Sequence, residues 1–252
     1  MLLELQKGII YGPVNSRRLG RSLGVNILPP NKKACAFNCV YCQYGWTEAH
    51  TLGRKKLEGM PSVKAVGNAL QKALNSLPDP PSYITFSGNG EPTLHPDFNQ
   101  MVDEILSLRN QLAPRAKTAA LSNSALVTDK SVREALMKLD VKIMKLDCGS
   151  QELFEKYNQP CDGIDIEDIT EGLSQLSDVT IQTLISAGKS GNLDQKNIDE
   201  WIERLKRIKP SFVQLYTLDR DHPARDLFPI PKEELNRIKT QVQEEGLAVE
   251  IY

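Results

Sequence analysis

The sequence predicts an α/β domain in which the strands of a parallel sheet are each followed by a covering helix. Three observations carry this reading. Short β-branched runs alternate along the chain with segments whose apolar residues recur at spacings near three and four. Small and polar residues gather directly after each run, at one rim of the expected sheet. No Ser/Gly-rich linker or low-complexity tract divides the 252 residues, so one domain is the economical reading.

"LGVNIL" (Leu23–Leu28) reads as the first strand, closed by Pro29 and Pro30. After a cysteine-bearing loop, Val63, Val66, Leu70, Ala73, Leu74 and Leu77 form a helical face that Pro78, Pro80 and Pro81 stop. "YITFS" is the second strand, and Phe98, Met101, Val102, Ile105 and Leu108 make the next helical face. "KTAALS" is the third strand, followed by a helix from about Asp129 to Leu139, where Ser131 and Glu134 have capping-box spacing. "VKIMKLD" and the short helix "EDITEGLSQL" form the fourth unit. "VTIQTLIS" leads to a helix through Ile198, Trp201, Ile202, Leu205 and Ile208, and "FVQLYTL" to a helix after Pro231. "LAVEIY" is a short last strand. Six strand–helix units fit an open doubly wound sheet or an incomplete barrel, and periodicity does not separate the two.

Lys and Arg total 31 against 32 Asp and Glu, so overall charge selects neither nucleic acid nor membrane. No apolar run approaches the roughly 18–20 residues that span a bilayer. Glu4 and the lack of a long apolar stretch argue against a signal peptide, and the expected location is the cytoplasm. Five cysteines, an odd number, argue against a secreted disulfide scaffold.

Three of those cysteines fall in "ACAFNCVYCQYG", at Cys35, Cys39 and Cys42. A structural zinc site normally needs four ligands, usually as two cysteine pairs; here the fourth would come from His50, Cys148 or Cys161. Three thiolates suit a four-iron cluster that leaves one iron free of protein ligands. Spacing alone leaves both open. A non-catalytic zinc-binding barrel acting as a partner-binding module is the alternative reading.

The other strand ends carry "SGNGEPTLHP", "LSNS", "LDCGS", "LISAGKSGN" and "YTLDRDHPARD". Ser122, Asn123 and Asp147 sit there, and each could equally be a turn or cap residue. Cys148 beside Asp147 is a candidate hydrogen-atom donor or ligand of a second cluster, although a lone strand-end cysteine is more often a small buried residue. His50, His95 and His222 lack paired ligand spacing and read as structural. Arg17, Arg18 and Arg21 form a basic segment suited to a phosphate or carboxylate of a substrate, or to internal salt bridges.

"CAFNCVYC" resembles the C-x₃-C-x₂-C loop of radical S-adenosylmethionine (radical SAM) enzymes, including the aromatic residue before the final cysteine. "GNGEPTLHP" looks like that family's glycine–glutamate turn after the second strand. The resemblance covers most of the chain and implies a single-domain partial (β/α)₆ TIM-like barrel. Residues 1–24 would be an N-terminal extension, 25–220 the core barrel, and 221–252 a C-terminal helix and strand. It also implies a 4Fe-4S cluster on Cys35, Cys39 and Cys42, with S-adenosyl-L-methionine (SAM) at the open iron. Reductive cleavage of SAM would give a 5′-deoxyadenosyl radical that abstracts a substrate hydrogen.

By the same resemblance Tyr41 packs near the cluster or the adenine. Gly88, Asn89 and Gly90 let backbone approach the methionyl amino group, and Glu91 anchors its charge. Ser122, Asn123, Asp147 and Gln182 would contact the rest of SAM, and Gln214 lies on the strand after that of Gln182. The family form has two adjacent glycines, whereas Asn89 separates them here. The expected partners are a reductant such as flavodoxin or ferredoxin and a substrate that is an RNA base or a protein or peptide. "YGPVNSRRLGRSLGVNILP", with "YCQYG" and "LYTLDR", most resembles uncharacterised radical SAM proteins related to wybutosine (tRNA-guanosine) synthesis enzymes. Those enzymes carry extra cysteines ahead of the SAM loop, and none precedes Cys35.

Overall fold

A computed structural model describes residues 1–252. Its centre is one sheet of eight strands: β1 (Ile10–Ser16), β2 (Gly20–Val25), β3 (Tyr83–Phe86), β4 (Lys117–Ser122), β5 (Val141–Lys145), β6 (Val179–Leu184), β7 (Phe212–Tyr216) and β8 (Val249–Ile251). The spatial order follows the chain order throughout. β1 runs antiparallel to β2, and every later neighbour is parallel.

That order separates the two architectures left open by periodicity. A doubly wound sheet reverses its strand order once, so that helices cover both faces. Here each crossover advances one strand the same way, and right-handed crossovers then put all the helices on one face. The helices are α1 (Val63–Ser76), α2 (Phe98–Leu112), α3 (Lys130–Met137), α4 (Gln151–Tyr157), α5 (Ile166–Ser174), α6 (Gln195–Ile208) and α7 (Lys232–Glu244). A sheet covered on one face only curls its other face inward, as a partial barrel.

The two faces differ in composition, as the two-residue side-chain period requires. Leu23, Val25, Ile84, Phe86, Ala120, Met144, Ile181, Val213 and Leu215 join the main core beneath the helices. The opposite face keeps only a small apolar cluster of Leu19, Ala119 and Ile143. Polar side chains share this inner face: Ser22 bonds Thr85 at 2.7 Å, and Gln182 donates to Gln214 at 2.9 Å. Lys145 is the register partner of Gln182, which in turn pairs with Gln214, so the three form one row across β5, β6 and β7.

Three local features differ from the expectations. Residues 10–25 form the β1–β2 hairpin, so the first parallel strand ends at Val25 rather than Leu28. The seven-residue α4 lies between the fourth strand and "EDITEGLSQL"; two turns are too few for periodicity to register. Helix α3 is capped by Asp129, whose side chain accepts from the Ser131 N–H, so Ser131 lies inside the helix and there is no capping box. Its hydroxyl accepts from Arg54 instead.

Candidate active site

The three cysteines leave the sheet rim on a loop whose entry is fastened to the glycine turn. Ala34 N–H donates to the Asn89 carbonyl at 2.9 Å, and Glu91 N–H donates to the Ala34 carbonyl at 3.0 Å. Gly90 sits at φ +133, where a Cβ would run into the Ala34 carbonyl oxygen. Only glycine permits this approach. A Cβ on Gly88, at φ +135, would likewise collide with the Asn26 side chain, though less severely. The motif thus packs two chain segments together before it meets any ligand.

Around the thiols the structure gathers donors and one cation. Asn123 Nδ2 lies 3.4 Å from Cys35 Sγ, and Asn158 Nδ2 lies 3.4 Å from Cys39 Sγ. Lys33, only 3% exposed, donates to the Gly45 carbonyl at 2.8 Å. Burial opposes its charge, but Cys42, Cys35 and Cys39 outweigh burial and hold the ammonium above its ordinary value. Burial itself raises the Cys35 thiol strongly, and raises Cys39 to about 11 with help from Cys42 and Asp147. Three thiols spread over one loop, a buried cation and two N–H groups on sulfur suit an anionic cluster of larger radius.

Glu91 is 1% exposed. Its Oε1 accepts from Thr93 N–H (3.0 Å), Thr93 Oγ1 (2.6 Å) and Ser122 Oγ (2.9 Å), and its Oε2 from Asn123 N–H (2.5 Å). Burial raises its carboxyl despite these bonds. The carboxylate therefore holds Ser122 and Asn123 in place, and Asn123 in turn faces Cys35. Asn89 differs from the expectation for a ligand contact. Its amide donates to the Gln6 and Pro29 carbonyls, both at 2.9 Å, and accepts from Gln6 N–H at 2.7 Å, so its side chain anchors the N-terminal segment.

Asp147 also differs from a residue waiting for a ribose. It is 2% exposed and ringed by protein donors: Lys145 Nζ (2.8 Å), Leu184 N–H (2.9 Å), Asn158 Nδ2 (2.8 Å) and the Tyr41 hydroxyl. Tyr41 packs on Tyr157 with ring centroids 5.0 Å apart, and Lys145 Nζ stands 5.0 Å from the Tyr41 ring centre. Burial pushes Tyr41 well above its ordinary value, with the Asp147 charge adding to it. For Lys145 burial opposes the charge, and Asp147 and Tyr216 overcome it, keeping the amine protonated.

Cys148 is corrected by its surroundings. It is fully buried in the helix-side core, its thiol 3.7 Å from Asn158 Oδ1, where it packs as a small core residue. Cys161 bonds through its backbone to Ala36 and reaches no thiol of the loop. The histidines are structural: His95 Nε2 meets the Pro61 carbonyl at 3.0 Å, His50 the Ala36 carbonyl at 3.2 Å, and His222 the Arg220 carbonyl at 3.1 Å. A cleft of about 310 Å³ lies between the loop after β4 and α5 and touches none of the three cysteines.

Three site residues escaped the sequence reading. Lys33 has no motif beyond its nearness to Cys35. Asn158 follows the unrecognised α4. Lys145 had a usable signal, since the alternation Val141, Ile143, Lys145 puts a lysine on one sheet face two residues before Asp147.

A family model described as the radical SAM superfamily matches residues 33–196. A UPF0026 protein of Helicobacter pylori is 35% identical over 247 residues, covering 96% of this chain and 76% of that relative. A UPF0026 protein of Methanocaldococcus jannaschii is 32% identical over 233 residues, covering 90% and 68%. Among solved structures, TYW1 with a lysine-pyruvate adduct bound superposes with TM-score 0.64 at 16% identity, covering 89% of this chain and 73% of that one. A radical SAM methyltransferase from Sphaerobacter thermophilus gives 0.66 at 14% identity, covering 92% and 65%. At such identities these structures show a shared fold, the partial barrel that the strand order requires.

Proposed function

The chain belongs to the radical SAM superfamily, whose cofactors are a 4Fe-4S cluster and SAM, and on that premise we propose that Cys35, Cys39 and Cys42 hold the cluster for hydrogen abstraction from a substrate in the barrel. The observation that carries this reading is the pair of side-chain amides on Cys35 and Cys39, together with the buried Lys33 ammonium that the three thiols influence. When bound, the reduced cluster supplies the electron that cleaves SAM to methionine and a 5′-deoxyadenosyl radical.

The chain's own residues bind, orient and exclude water. Lys33 offsets the negative charge of three thiolates in a site of low dielectric. Asn123 and Asn158 donate to sulfur and stabilise the more negative, reduced state. Gly88 and Gly90 let the turn pack against Asn26 and the Ala34 carbonyl, a position from which its backbone would approach the methionyl end of SAM. Glu91 acts as a positioning residue through Ser122 and Asn123. Tyr41 and Asp147 fix the last turn of the loop against β5, and the Gln182–Gln214 pair presents amides along the inner face.

The substrate classes consistent with the sequence are an RNA base and a protein or peptide, and the reductant is of the flavodoxin or ferredoxin class. No helix is long and apolar enough to cross a membrane, and the proposed location is the cytoplasm. The test is product analysis. Protein reconstituted anaerobically with iron and sulfide should release 5′-deoxyadenosine from SAM on dithionite reduction, and Cys39→Ala should not. A fully loaded wild-type protein that releases none would overturn the proposal.

A further inference from the structure

The β1–β2 hairpin folds its tip across the inner face of the sheet, where Leu19 packs on Ala119 and Ile143. The three arginines of this tip have separate fates. Arg17 is ion-paired with Asp219, and Arg21 donates to the Asp79 and Pro80 carbonyls at 2.7 and 3.1 Å. Arg18 alone is turned inward. Its guanidinium carbon lies 4.4 Å from the Tyr216 ring centre and 5.5 Å from that of Tyr252, at the ends of β7 and β8. It makes no hydrogen bond or ion pair through its side chain, and its Nε is buried without an acceptor.

A guanidinium held by ring faces and lacking acceptors is oriented but unsatisfied. Lys145 shares the same ring: its Nζ is 4.8 Å from the Tyr216 centre and donates to the Tyr216 hydroxyl at 2.9 Å. Asp147, the carboxylate facing Lys145, already has four donors of its own. Beside it, Lys145 is committed to Asp147 and the Tyr216 hydroxyl, and the nearby Asp219 is taken by Arg17. The Arg18 planar fork matches a carboxylate or phosphate in bidentate fashion.

We propose that Arg18, stacked on Tyr216 beside Lys145, is a substrate-binding residue that receives a carboxylate of the molecule presented to the radical. The inference rests on the radical SAM reading, because it places that group on the inner face below the cluster rim. A carboxylate fits better than a nucleic-acid phosphate chain. Backbone-tracking surfaces use several unpaired cations, whereas Arg17 is paired, Arg220 is bonded to Gln43 at 3.0 Å, and Lys145 is held by Asp147. Among Arg17, Arg18, Arg21, Lys145 and Arg220, only Arg18 lacks a side-chain hydrogen bond or ion pair, which suits a single anionic end of a small acid or an acidic peptide.

The test is calorimetric titration of succinate, of a short blocked aspartyl peptide and of inorganic phosphate into the full-length reconstituted protein saturated with SAM. Wild type and Arg17→Gln should bind one carboxylate ligand per chain, and Arg18→Gln should weaken it about tenfold or more. Stronger binding of succinate would point to a small acid, and stronger binding of the peptide to a peptide substrate. Preference for phosphate over both, equal binding by Arg18→Gln, or no binding by a protein that still binds SAM would each overturn the proposal. A protein that binds no SAM defeats the radical SAM reading instead. If Arg18→Gln does not fold, wild-type Arg18 can be labelled with phenylglyoxal and read by peptide mass. Slower labelling with succinate supports the site, and unchanged labelling overturns it.

Discussion

The hydroxyl of Tyr41, the residue before the last cysteine of the loop, donates to the carboxylate of Asp147 just beyond β5. This bond fastens the proposed cluster loop to the sheet, and Asp147 carries Lys145 on its other oxygen at 2.8 Å. The side chains of Asp147 and Lys145 are 0% and 15% exposed, so the pair is desolvated. Removing one partner of a buried pair leaves an uncompensated charge and costs about 3–5 kcal/mol. Asp147→Asn should therefore lower the denaturant midpoint sharply, and adding Lys145→Met to it should recover most of that loss. A small effect in the single variant would show that water already solvates Lys145.

Gly90 is fixed by backbone rather than by a ligand. Gly90→Ala should destabilise by about 3 kcal/mol or more, because the collision is with the Ala34 carbonyl and the neighbouring backbone must move. It should also reduce cluster loading, since Ala34 leads directly into Cys35. Gly246 also has positive φ, +76, but nothing lies within 4 Å of an added Cβ, so Gly246→Ala should cost only about 1–2 kcal/mol and leave loading intact. Chemical denaturation and iron content check both variants.

Hydrogen bonds to sulfur favour the reduced cluster. Asn158→Leu removes the donor to Cys39, and Asn123→Ala removes the one to Cys35. Each should move the potential of the loaded protein to more negative values by roughly tens of millivolts, on the scale of about 59 mV per tenfold change for one electron. An EPR-monitored redox titration reads the shift. Unchanged potentials in both variants would place the amides away from the cluster.

Glu167 offers a pH test remote from the site. The hydrogen bond from Arg207, aided by Arg204, holds its carboxyl at about 2 against an ordinary 4.5. A depressed carboxyl stabilises the fold above its unfolded value, and that contribution disappears as pH falls from 4.5 towards 2. The side chain is 52% exposed, so solvent screening limits the effect to about 1 kcal/mol or less. Glu167→Gln should be slightly less stable than wild type at pH 7 and indistinguishable near pH 2. A difference that persists in acid would assign the effect to packing.

Much of this architecture was legible because it is local. Alternating runs marked the parallel strands, proline stops and apolar spacings marked most helices, and the cysteine loop and glycine turn lie within short stretches of chain. What escaped depends on distance. The winding of the sheet is a property of successive crossovers, so no single segment reports it. Lys33, Lys145 and Asn158 have ordinary local contexts and gain meaning only from the thiols and carboxylate that the fold brings to them. Conversely, Cys148 and Asn89 looked functional by position, but one thiol faces the helix-side core and one amide ties down Gln6.

The central claim is that the three cysteines hold a cluster whose free iron binds SAM. Anaerobic reconstitution, dithionite reduction and EPR with and without SAM test it most directly. The account predicts a reduced four-iron signal that changes on adding SAM and is lost in Cys35→Ala. A colourless protein retaining one zinc per chain, with no response to SAM, would contradict it.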